Sequence, residues 1–193
     1  MDLFRGERRG RLLRYNPETG EVNVLATGIS FANGIAVDKD ETFVAISETF
    51  AARYLKYHLQ GEKKGQLEVM LSELNGFPDG ADCSHTSGLC YAAIVTSPPP
   101  LMQLLHALPL PVINQYARTL FMMIPKRFQP QPVPYGCFVE IFPGDDNNAA
   151  RITRVIQDIH GEDLKLITGV TEYQGKLYLG SLENDVVGVY DLS

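Results

Sequence analysis

Short apolar and β-branched runs at about ten-residue spacing, turn signals between them, and a motif returning after about 46 residues predict an all-β chain. The architecture that fits is part of a β-propeller, about three blades, with a short helical insert. The repeating motif is Phe31-Ala32-Asn33-Gly34, which returns as Phe77-Pro78-Asp79-Gly80. Arg11 to Tyr15 resembles Arg53 to Tyr57 upstream of the second copy, and Glu21 to Leu25 resembles Glu68 to Leu71. A third copy begins at Thr168-Gly169-Val170-Thr171 and continues through Gly175 to Ser181.

Taken in order, Leu12–Tyr15 and Val22–Leu25 read as the last two strands of a blade, separated by the turn residues Asn16-Pro17 and Thr19-Gly20. Gly34–Val37, Phe43–Ser47, Tyr54–His58 and Leu67–Leu71 make a complete blade. Ala81–Cys83, Leu89–Thr96, Tyr135–Phe142 and Ile152–Ile156 make another. Leu166–Thr171, Lys176–Ser181 and Val186–Asp191 give a last blade without an outer strand. Residues 1–193 thus read as one partial propeller domain, with an insert over 97–134. Prolines bound the insert on both sides, and its leucines recur at helical spacing, predicting two short amphipathic helices. The apolar stretch from Leu101 to Ile124 is broken by polar residues and proline, so it suits a cap, a lid or a membrane-surface contact better than a span.

The formal net charge is −6 and the sequence pI about 5.2. Four arginines between Arg5 and Arg11 are interrupted by glycine and glutamate and read as a solvated face, so no nucleic-acid partner is expected. Cys83 and Cys90 either pair across a hairpin or remain buried thiols, which leaves the compartment undecided.

Asn33, Asp79 and Thr168 occupy equivalent positions at the entry to first strands, which line a propeller's central tunnel. An asparagine carbonyl and a carboxylate converging there are hard oxygen ligands of the kind Ca²⁺ takes, though calcium needs about six to eight. The plainer reading makes Asn33 and Asp79 turn residues before glycine. Glu48, at the end of a second strand, is a tunnel-lining candidate, or half of a structural ion pair with Arg53 or another base. Asp145 to Asn148 reads as a hairpin turn. Hydrolase elbows, phosphate loops and EF-hand loops are absent.

With these residues in view, the chain resembles the strictosidine synthase-like family, including the adipocyte plasma membrane-associated proteins. The resemblance is carried by Gly10 to Tyr15, Phe31 to Val37, Ser47-Glu48-Thr49, Gly76 to Asp79, Pro134-Tyr135-Gly136 and Gly175 to Ser181. It implies a six-bladed propeller related to paraoxonases and gluconolactonases, with a calcium site in the tunnel to which Asn33 and Asp79 contribute. The remaining ligands would come from earlier blades, so the chain is expected to correspond to a C-terminal half. Many relatives carry asparagine after the aspartate, where this chain has Gly80. The glutamate used for amine–aldehyde condensation in strictosidine synthase falls near Lys165, with Glu162 offset, which argues against that chemistry. The implied activity is calcium-dependent hydrolysis of a small-molecule ester or lactone, and the competing expectation is a non-catalytic binding propeller. Open sheet edges at both ends make a homodimer or a missing N-terminal half the expected partner.

Overall fold

The computed structural model describes residues 8–95, 135–145 and 148–193. Among them, thirteen strands form four sheets. Strands β1 (Gly10–Tyr15) and β2 (Val22–Ile29) pair as a ribbon. A four-stranded meander follows: β3 (Ala32–Val37), β4 (Phe43–Glu48), β5 (Arg53–His58) and β6 (Leu67–Leu71). The next meander is β7 (Pro78–Cys83), β8 (Cys90–Ile94), β9 (Gly136–Phe142) and β10 (Arg151–Asp158). The last sheet is β11 (Ile167–Tyr173), β12 (Lys176–Ser181) and β13 (Gly188–Asp191). Every pairing is antiparallel and joins chain neighbours, as in a propeller blade. The blades read from the sequence are these sheets. The expected insert over 97–134, including Leu101 to Ile124, lies outside the described residues. No helix among the described residues is long and apolar enough to cross a membrane.

Blades stack face to face, so a middle strand has no solvent side. In β4, Phe43 and Ala45 point into the core shared with the third sheet, while Val44 and Ile46 point into the core shared with β1 and β2. Strand β8 divides the same way, with Cys90, Ala92 and Ile94 on one face and Tyr91 and Ala93 on the other. Burial on both faces is why these strands are nearly continuous apolar runs, while the outer strand β10 is largely exposed and mixes polar with apolar residues. The first strands β3, β7 and β11 lie one against the next and form the inner rim.

Cys83 and Cys90 stand directly opposite one another on β7 and β8, and their sulfurs are bonded at 2.00 Å. Cys137 is free and buried. The bridge closes a short loop, for which chain-entropy reasoning gives about 2.5 kcal/mol of stabilisation. Replacing both bridged cysteines with alanine is expected to lower stability by about that amount in urea titrations. Alkylation of the denatured protein should find one thiol before reduction and three after; three before reduction would refute the pairing.

Candidate functional site

The inner strands share an irregularity. Ala32 pairs with Glu48 and Ile35 with Ile46, so Asn33 and Gly34 together face Ser47. Pro78 pairs with Ile94 and Ala81 with Ala92, so Asp79 and Gly80 form the same bulge. In β11 the register slips between Ile167 and Gly169, at Thr168. Bulges bend a strand and re-aim its side chains, and here all three fall on the residues singled out by the repeat. They also start the first strands earlier than the sequence suggests, at Ala32 and Pro78, because pairing resumes on the far side of each bulge.

The glycines in these bulges permit contact between blades. A Cβ on Gly34 would lie 2.1 Å from the Asp79 carbonyl oxygen, and one on Gly80 would lie 2.5 Å from the Thr168 carbonyl oxygen. Asparagine at position 80, the residue expected from the family pattern, would not fit without moving β11. Asn33, Asp79 and Thr168 are thereby drawn together along the rim.

Asp79 is half-buried. Burial pushes its carboxyl above the ordinary value, and only neutral donors oppose this, the Asn33 side chain first and the Gly80 N–H second. No basic side chain is among the groups that shift it. A partly desolvated carboxylate beside an asparagine, with no cationic side chain among the described residues to balance it, has the donor chemistry of one side of a hard-cation site. Among the described residues, no three His, Cys, Asp or Glu side chains gather as a metal cluster. Asn33 and Asp79 fit calcium as part of a ligand set.

Aromatic rings flank this pair. Phe31 and Phe77 each stand two residues before a site residue. Phe50, just beyond β4, stacks on Phe31 at 4.9 Å and meets Phe77 edge-on at 6.4 Å. All three rings are partly exposed. Phe31 has φ near +60°, a costly conformation for a bulky residue. The Thr49 N–H donates to its carbonyl, and the Phe50 N–H donates to that of Ser30.

Glu48 is placed differently from a tunnel-lining residue. Its side chain is fully buried. One oxygen accepts from the Ser30 N–H at 2.7 Å and the other pairs with the Arg53 guanidinium. It fastens the link between β2 and β3 and supports Phe31 from behind. Lys165 pairs with Glu183 at 3.0 Å, and Glu162 is exposed. Asp145 accepts from the Asn148 N–H at 2.8 Å, closing a local turn. Two concavities of about 430 and 460 Å³ lie between the outer parts of adjacent blades, and neither is lined by Asn33, Asp79 or Thr168. Sequence reasoning missed the bulges and the aromatic cluster. The glycine after each site residue, and the phenylalanine two before Asn33 and Asp79, were the available signals.

The strictosidine synthase family model matches residues 1–62. The adipocyte plasma membrane-associated protein of Salmo salar is 32% identical over 186 residues, covering 95% of this chain and 43% of that protein. Protein STRICTOSIDINE SYNTHASE-LIKE 3 of Arabidopsis thaliana is 30% identical over 199 residues, covering 98% of this chain and 47% of that protein. Among solved structures, a luciferin-regenerating enzyme superposes with a TM-score of 0.57 at 14% identity, over 92% of this chain and 46% of that one. A regucalcin from Agrobacterium tumefaciens, described as a calcium-binding protein, gives 0.51 at 13% identity, over 93% and 48%. At such identities the two structures speak to the fold alone. The sequence matches, together with the blade repeat, make the chain a member of the strictosidine synthase-like family that spans rather under half the length of the curated relatives it matches.

Proposed function

We propose that the chain contributes to a calcium-dependent propeller hydrolase acting on esters or lactones, with Asn33 and Asp79 as cation ligands on the inner rim. The observation that carries this reading is the half-buried Asp79 carboxylate, without a basic partner among the described residues, beside the Asn33 side chain on two bulged strands. The calcium-binding description of the structurally similar regucalcin is consistent with it. Calcium bound there would polarise a substrate carbonyl. The chain's own part is to offer the Asn33 and Asp79 oxygens and to keep β7 fixed through glycine contacts. The partly exposed rings of Phe31, Phe50 and Phe77 suit the apolar portion of an ester better than a sugar.

Calcium titration by calorimetry tests the reading. Asp79→Ala is expected to weaken binding by more than the ~10–100-fold typical of losing an outer partner. Phenyl acetate and an aliphatic lactone, each assayed with calcium and with a chelator, test the chemistry. Turnover that ignores the chelator would exclude a calcium-dependent hydrolase. Calcium uptake without turnover of either substrate would favour a binding propeller.

A further inference from the structure

Two hydroxyls of the preceding blade donate to the backbone that carries Asp79, and a third from the same blade is buried behind them. Ser47 Oγ donates to the Asp79 carbonyl at 2.5 Å, and Thr49 Oγ1 donates to the Pro78 carbonyl at 2.7 Å. Tyr54 stands opposite Ser47 on β5, and its buried hydroxyl has no hydrogen-bond partner among the described residues. Burial, above all, pushes that hydroxyl's pKa above its ordinary value; Ser47 opposes the shift and the Asp79 charge adds to it. Ser47 is 0%, Tyr54 1% and Thr49 7% exposed.

The next blade provides an internal control. Ala32 pairs with Glu48 and Pro78 with Ile94, so Ser47 corresponds to Ala93 and Thr49 to Val95. The Thr49 and Val95 N–H groups donate to Phe31 and Phe77 respectively, which supports the same alignment. Ser47 pairs with Tyr54 and Ala93 with Phe138, so Tyr54 corresponds to Phe138. Serine, threonine and tyrosine on one blade are thus alanine, valine and phenylalanine on the next. Each is the same shape, or nearly so, without its hydroxyl. The stacked-blade framework therefore does not require these hydroxyls. They occur where a blade abuts Asp79, and their counterparts, on the blade that abuts Thr168, lack them.

We infer that Ser47 and Thr49 form a hydroxyl clamp, backed by Tyr54 opposite Ser47, that positions Asp79 for a divalent cation, as positioning residues rather than ligands. The inference rests on the cation reading above. Buried hydroxyls gripping two successive carbonyls fix the strand at its bulge, where a ligand strand has most freedom to shift.

The test is cation affinity measured by directly excited terbium luminescence with calcium competition, alongside thermal melting. The variant Ser47→Ala/Thr49→Val/Tyr54→Phe installs the side chains of the neighbouring blade. It is expected to remain folded and to bind about 10–100-fold more weakly. Thr49→Val alone should bind more weakly than wild type, whereas Thr49→Ser, which keeps the hydroxyl and drops the methyl, should bind as wild type does. That pair decides the question should the triple variant fail to fold. Equal affinity in wild type and triple variant overturns the clamp and leaves the cation site standing, and so does Thr49→Ser as weak as Thr49→Val. A wild-type chain that takes up no terbium overturns both readings.

Discussion

Gly34→Ala is expected to lower stability by about 3 kcal/mol or more, a fall in Tm of about 6–12 °C for a chain of this size. The added Cβ would lie 2.1 Å from the Asp79 carbonyl oxygen, 2.6 Å from the Ala81 nitrogen and 2.8 Å from Ser47 Oγ. Two of those atoms are backbone, so relief requires β7 to move away from β3. That movement would also pull Asp79 from Asn33, and cation affinity should fall with stability. Gly175→Ala is the contrast. Nothing lies within 4 Å of its added Cβ, and the cost is that of a φ near +75° in a turn, about 1 kcal/mol. Differential scanning calorimetry of the two variants compares contact with conformation. Equal, small shifts would mean that the inner strands are not packed through their glycines.

Arg53→Leu should cost about 3–5 kcal/mol, because it strands a fully buried carboxylate. Among the described residues, Glu48 would keep only the Ser30 N–H. The same position one blade on is Ile94, so a blade accommodates an apolar residue there. Glu48→Leu combined with Arg53→Leu is therefore expected to lose much less than the sum of the single changes. Chemical denaturation of the four proteins gives the coupling. Additive losses would mean that the ion pair is not sealed from water.

The blades were legible in the chain because of their chemistry. Four strands at short spacing, with middle strands buried on both sides, leave continuous apolar runs such as Phe43 to Ile46. The 46-residue return of a phenylalanine, a polar residue and a glycine marked successive first strands. Asn33, Asp79 and Thr168 could be named because they hold equivalent places in the repeat, and all three fall at register shifts of first strands. Gly80 looked like a gap in a ligand pattern, and its real constraint was hidden. It lies against the Thr168 carbonyl of a strand nearly ninety residues later, a distance over which local sequence carries no signal.

Glu48 illustrates the same limit. A carboxylate at a strand end reads equally as tunnel lining or as an ion pair. Its fate depends on Arg53, which register sets opposite it on the same blade, and on the Ser30 N–H, which reaches it from the link between blades. The Cys83–Cys90 choice was similarly open until register set the two residues opposite each other. From sequence alone came the all-β repeat, its family and the equivalent positions on successive first strands, because these follow from periodicity along the chain. The bulges were decided by strand register within each blade, and the glycine contacts, the Phe50–Phe77 contact and the hydroxyls on the Asp79 backbone by contact between blades. Those contacts depend on atoms brought within a few ångströms by packing, from strands the chain holds far apart.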